Sequence, residues 1–150
     1  MTMRVLSATP LLQIIGAYTA NDCVGALLTF TLSGSSLPNK GARIRRLTLI
    51  DADKEAAEFW LYLFNASPAA AARTDADAFA PVAADYAKLI GSIHIAAAEY
   101  VAGPSDSVVL QEKDFPVVVA GAALYGVLVC VGTPTYTAAD DLLLKLLIED

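Results

Sequence analysis

The feature that most constrains the fold is a series of short apolar segments separated by residues that favour turns. The last segment alternates, with Leu142, Leu144 and Leu146 on one face, and alternation of this kind is typical of a β-strand. Helix propensity leaves a helix as the alternative there. The helix-strand alternation of a doubly wound sheet is missing. The pattern predicts an all-β fold, an antiparallel β-sandwich, and a jelly roll is the commonest closed arrangement of eight strands. The predicted strands span residues 11–16, 26–32, 43–51, 58–65, 90–100, 108–110, 115–120, 123–131 and 142–148.

One predicted strand, at 58–65, is apolar on both faces, and the residues after it differ from the rest of the chain. Its two faces carry Phe59, Leu61 and Leu63 against Trp60, Tyr62 and Phe64. We therefore expect both faces to be covered. Residues 66–87 are rich in alanine and aspartate and are predicted as a long connection, with a helical turn at 81–88. Either this connection or a second copy of the chain would cover the second face.

Length and composition limit the class of protein. The chain has 150 residues, which fits a single domain spanning 1–150. Hydrophobic residues make up 56% of it and charged residues 17%. Disordered proteins have fewer apolar and more charged residues, so this composition excludes that class. Ten Lys and Arg against sixteen Asp and Glu give a net charge of -6. A surface of that sign does not neutralise phosphates, so we expect no nucleic acid partner.

Two apolar stretches have to be weighed as export or membrane segments. In residues 1–20, Pro10 and Gln13 interrupt the apolar stretch that follows Arg4, so we do not expect a signal peptide. Residues 115–139 carry no charge and would be long enough to span a membrane as a helix. Two prolines, three glycines and many valines instead favour two strands joined by a glycine turn. We therefore expect no membrane partner.

Residues able to carry out chemistry are few. The sole histidine, His94, shares a strand face with Ser92, and the chain has no Gly-x-Ser-x-Gly elbow. These features predict a surface or interface histidine rather than a Ser-His-Asp triad. Cys23 and Cys130 are predicted as buried free thiols, with a disulfide between them as the alternative. We expect no enzyme activity, no catalytic or cofactor-binding residues, no cofactor and no metal.

Two charged clusters have a structural and a binding interpretation. The run from Asp51 to Glu55 imitates the first half of a calcium loop, but Ala56 stands where the loop needs glycine and Tyr62 where it needs an acidic ligand. A hydrated turn is predicted, and a weak calcium site is the alternative. The one basic cluster is predicted as solvated strand ends, and a docking patch for an acidic protein is the alternative. This cluster consists of Arg43, Arg45 and Arg46.

Three stretches, 18–30, 59–65 and 132–142, resemble a group of small β-rich proteins encoded by tailed bacteriophages near the capsid gene. These are head decoration or cement proteins with a jelly-roll-like sandwich. By the order of segments the resemblance spans residues 11–150. It implies a virion structural protein on the outer capsid surface, present in the host cytoplasm during assembly. The implied partner is the major capsid protein, and the implied assembly is a homo-oligomer, a trimer.

A carbohydrate-binding jelly roll of a phage fibre or lectin type is the alternative function. Such a module would use exposed aromatic side chains such as Tyr86, Tyr100 or Tyr136 as stacking platforms for sugars. An isomerase or epimerase of cupin type is disfavoured, because a cupin metal site usually needs several histidines and this chain has one.

Overall fold

Two antiparallel sheets packed face to face make up the fold in a computed structural model that describes residues 2–13, 16–32 and 40–150. Helical structure in these ranges is limited to α1 (Ala83–Tyr86) and two short 3-10 turns, Ala70–Ala72 and Ala97–Glu99. The described strands are β1 (Met3–Ala8), β2 (Leu28–Thr31), β3 (Lys40–Asp51), β4 (Phe59–Phe64), β5 (Leu89–Ile95), β6 (Val101–Ala102), β7 (Ser107–Val119), β8 (Ala123–Cys130) and β9 (Leu142–Glu149).

The five-stranded sheet has the order β1-β9-β3-β7-β6, and the four-stranded sheet has the order β2-β8-β4-β5. Every pair of neighbouring strands is antiparallel. The predicted all-β antiparallel sandwich is therefore confirmed.

The core lies between the two sheets and is built from alternate residues of each strand. In β9, four residues at alternate positions are buried and those between them are half-buried. Residues 142–148 are thus a strand, and the helix alternative is wrong. In β4, Phe59, Leu61 and Leu63 are fully buried in the same core. Removing these side chains from water supplies the main driving force for packing one sheet on the other.

Several strand boundaries differ from the prediction. Residues 3–8 form β1, which was not predicted and which pairs with β9. The predicted strands 108–110 and 115–120 are one continuous strand, β7, whose polar middle pairs with β3: Glu112 and Asp114 face outward against arginines of β3, and Gln111 is buried. The predicted strand 90–100 ends at Ile95 and is followed by a 3-10 turn. Residues 11–13 form no strand. The prediction for 14 and 15, and that of a loop at 33–39, lie outside the described residues.

The uncharged stretch 115–139 contains the end of β7 and all of β8, joined by a turn at residues 120–122. The prediction of two strands is confirmed. Within the described ranges, no helix has both the length and the apolar character needed to cross a membrane.

The connection from β4 to β5 covers the outer face of the four-stranded sheet. The ring of Phe79 stacks on Tyr62 with centroids 4.5 Å apart and planes at 23°. The backbone carbonyl of Asp77 accepts a 2.8 Å hydrogen bond from the Cys23 N–H. Phe64 is buried in the apolar cluster that forms beneath. The second face of β4 is therefore covered in part: the same chain covers Tyr62 and Phe64, whereas Trp60 stays 37% exposed.

Candidate functional site

The outer face of the five-stranded sheet exposes large apolar side chains. They are between 50% and 72% exposed and lie on β1, β6 and β7. An exposed group of this kind on one face is typical of a surface that contacts another molecule. The residues are Met3, Val5, Val101, Leu110 and Val118.

Strand register arranges part of this face as a continuous apolar row. Val101 of β6 pairs with Val108 of β7, which pairs with Ile50 of β3, which pairs with Leu143 of β9. Cross-strand partners in a sheet lie side by side on one face. Beside the row, Leu110 helps to line a shallow groove of about 360 Å³. The row and groove form one contiguous apolar area at the β6 side of the sheet.

The arginine cluster lies on the same face, in the middle of β3 rather than at a strand end. A β-bulge between Ile44 and Arg46 interrupts the register, and each arginine contacts a carboxylate. Exposed ion pairs of this type contribute about 0–1 kcal/mol each, so their main effect is to neutralise charge. The three side chains are partly exposed to solvent, as predicted, but the predicted position at a strand end is wrong, and the arginines are already paired with acidic groups of their own chain. The pairs are Arg43–Asp114 at 2.6 Å, Arg45–Asp114 at 2.8 Å, Arg45–Glu149, and Arg46–Glu112 at 2.6 Å.

A second candidate site lies on the four-stranded sheet, around His94. Its Nε2 is 2.5 Å from Glu58 Oε1, and its ring lies 4.6 Å from the Trp60 ring with planes at 30°. The three side chains are each between 37% and 40% exposed. His94 is thus a surface residue, as predicted. Sequence reasoning did not assign a role to Trp60 or Glu58, although a spacing of two places both on one face of a strand.

An open cleft adjoins this group of side chains. It has a volume of about 370 Å³, and its wall includes the carboxylates of Glu55 and Glu58. Residues 131–134, which follow β8, line it as well, together with Ala57 and Ala97. A cleft of this volume is at the lower end of the range for small-molecule sites, about 300–1,000 Å³.

The calcium-like run Asp51 to Glu55 forms a turn held by its own carboxylates. Both oxygens of the buried Asp51 accept backbone hydrogen bonds at 3.0 Å, from the N–H groups of Asp53 and Ala56. Burial raises the pKa of Asp51, and these hydrogen bonds oppose that effect. Asp53 accepts a 2.9 Å bond from the Thr137 N–H, which ties the turn to the loop before β9. Among the described residues, no three His, Cys, Asp or Glu side chains are grouped to hold a metal.

The three tyrosines considered as sugar platforms differ in exposure. Tyr86 is 61% exposed, whereas Tyr136 is 2% exposed and packs edge-on against Tyr18. The Tyr100 hydroxyl donates a 2.7 Å hydrogen bond to the Ala57 carbonyl, and burial raises the pKa of Tyr100. The expectation of an exposed platform is therefore wrong for Tyr136, because its ring fills the core. Tyr100 is half-buried with its hydroxyl engaged.

Both cysteines are free and buried, as predicted. The Cys130 thiol donates to the Thr19 carbonyl, with sulfur and oxygen 3.1 Å apart. Burial raises the pKa of Cys23 to about 12, and the carboxylates of Asp22, Asp75 and Asp77 add to the effect. Neither thiol therefore has the low pKa that a reactive cysteine requires.

No family model matches the chain, and no curated protein is significantly similar to it.

Proposed function

We propose that this protein is a virion structural protein, a capsid decoration or cement protein that binds the assembled head and stabilises it. The resemblance to phage decoration proteins motivates the proposal. The observation that carries it in the structure is the exposed apolar outer face of the five-stranded sheet. The role requires no catalytic residue, cofactor, metal, nucleic acid or membrane.

The strand order supports a jelly roll, the fold proposed with this role. A jelly roll arises when one long antiparallel hairpin rolls into two sheets. In this chain β1 pairs with β9, β2 with β8, β3 with β7 and β4 with β5, as the two arms of such a hairpin would. The additional pairs β3–β9 and β4–β8 then join the arms into the two sheets.

The major capsid protein is the proposed partner of the exposed apolar face. Interfaces between proteins have an apolar core with a polar rim. The row from Val101 to Leu143 supplies apolar area, and the arginine pairs beside it present little net charge. Because the charges are paired within the chain, the face suits a partner surface that is largely uncharged.

We further propose that the protein assembles as a trimer on the outer capsid surface. The two-sided apolar strand β4 gives little support for a second copy of the chain, because the connection from β4 to β5 covers Tyr62 and Phe64. The remaining support is the exposed face and the geometry of icosahedral lattices, whose three-fold positions would let three linked copies bind together with a gain in avidity. The symmetry of density on decorated particles tests this, and isolated monomers there would contradict the trimer.

The decoration role is tested with particles prepared with and without the protein. A ligand that binds the assembled lattice stabilises it by mass action, so decorated particles should release DNA at a higher temperature. Leu110→Glu places a charge in the exposed apolar face and should abolish binding. The control Tyr86→Glu changes an exposed aromatic residue that lies away from that face. Equal release temperatures with and without the wild-type protein would refute the role.

A further inference from the structure

We propose that the group formed by Trp60, His94 and Glu58, together with the adjacent cleft, binds a neutral pyranose sugar. This site lies on the four-stranded sheet, whereas the proposed capsid contact lies on the five-stranded sheet. The inference therefore does not depend on the decoration role.

The aromatic part of the site comes from neighbouring strands. Trp60 of β4 and His94 of β5 are direct cross-strand partners, which explains why their rings lie 4.6 Å apart. Trp60 is 37% exposed, although the same connection that covers Tyr62 and Phe64 begins only a few residues later. An indole left uncovered next to a covered aromatic surface provides an apolar contact for one face of a ligand.

The polar part of the site comes from carboxylates. Glu58 contacts His94 through Oε1, and its Oε2 accepts no hydrogen bond from the residues that the structure describes. Glu55 lines the same cleft and, among the described residues, accepts a single hydrogen bond, from the Thr135 N–H at 3.2 Å. Ionised carboxylates accept hydrogen bonds from hydroxyl groups and offer no donor. The cleft therefore offers acceptors for a ligand that carries several hydroxyls.

A pyranose has an apolar face that fits the indole and hydroxyl groups that fit the carboxylates. Its C–H bonds carry partial positive charge and pack on an aromatic face, while its hydroxyls surround the ring and donate to carboxylates. The two glutamates and the net charge of -6 disfavour an acidic sugar or a phosphate. His94 acts as a positioning residue, since it contacts both Trp60 and Glu58 and fixes one relative to the other.

Trp60 is the sole tryptophan in the chain, so intrinsic fluorescence reports directly on the site. The probes are lactose and chitobiose, with 3′-sialyllactose as a third probe that adds one sialic acid residue, and with it one carboxylate, to lactose. We expect a saturable change in Trp60 emission with lactose or chitobiose, at a dissociation constant of about 1 mM or tighter. If lactose binds, sialyllactose should bind at least about tenfold more weakly, because its carboxylate is repelled by the two glutamates.

Variants test which residues carry the binding, measured by saturation-transfer NMR on the sugar, with circular dichroism to confirm folding. Trp60→Ala should abolish binding, and Glu58→Gln should weaken it at least about tenfold. Leu110→Ala, which removes an exposed apolar side chain on the five-stranded sheet, should leave it unchanged. The proposal is overturned if neither neutral sugar alters Trp60 emission up to about 20 mM. It is also overturned if sialyllactose alone binds, or if folded Trp60→Ala binds as well as the wild type.

Discussion

Asp75 fastens the connection between β4 and β5 to the N-terminal part of the chain. Its Oδ1 accepts hydrogen bonds from the Tyr18 hydroxyl at 2.8 Å and the Gly25 N–H at 2.6 Å. Its Oδ2 accepts a 2.8 Å bond from the Gln13 N–H. Because Asp75 is half-buried, we take a net contribution to stability of about 1 kcal/mol for each hydrogen bond. The three bonds together then contribute about 3 kcal/mol. Asp75→Ala should therefore lower the free energy of unfolding by about 3 kcal/mol.

Urea unfolding followed by Trp60 fluorescence measures this change. With an m-value of about 2 kcal/mol/M, the midpoint should fall by about 1.5 M. Tyr18→Phe removes one of the three bonds to Asp75 and also the 3.1 Å bond that the Tyr18 hydroxyl accepts from the Gln13 N–H, so it should cause at least about a third of the loss. The control Asp77→Ala, in the same segment, removes an exposed carboxylate and should have little effect. If Asp75→Ala lowers stability by no more than Asp77→Ala, the fastening role is refuted.

Three further predictions concern packing, pH and thiol chemistry. Because a Cβ on Gly126 would lie 3.1 Å from the Leu61 side chain, Gly126→Ala should cost about 1–3 kcal/mol in urea unfolding, whereas Gly132→Ala, with nothing within 4 Å, should be neutral. Backbone hydrogen bonds lower the pKa of Asp85, so its stabilising contribution is present above the unfolded-state pKa of about 4 and is lost as pH falls below it. Asp85→Asn should reduce the slope of stability against pH in acid. With its pKa raised to about 12, Cys23 should not react with a disulfide reagent at about pH 8 until the protein unfolds, and rapid labelling of the native protein would contradict its burial.

The sandwich could be predicted because its core imposes a local pattern on each strand. In β9 and β4 the core takes every second side chain, so alternation in the sequence reports burial directly. β1, which was not predicted, and β7, which was predicted as two separate strands, lack this regular alternation. β1 has one buried residue, Leu6, and the middle of β7 is polar on its outward face. Both strands are specified by pairing with distant strands, which a local pattern does not encode.

The group around His94 could not be predicted for a related reason. The spacing of Glu58 and Trp60 shows that they share a face, but their proximity to His94 depends on the register between β4 and β5. About two dozen residues separate these strands, and a β-bulge after Leu63 shifts their pairing. Nothing local in the sequence fixes that register. The ion pairs of β3 with β7 and β9 were missed in the same way.

The connection between β4 and β5 also explains why the outer faces of the two sheets differ. Adjacent antiparallel strands can be joined by two to five residues, whereas residues 65–88 join these two. The added length costs little in loop-closure entropy, because that cost grows only with the logarithm of length. In return, Phe79 and its neighbours cover Tyr62 and Phe64, whose exposure to water would be unfavourable. Among the described residues, the exposed side chains of the five-stranded sheet have no such cover. A chain that devotes a long segment to covering one sheet but leaves apolar residues exposed on the other is consistent with a partner that covers the second.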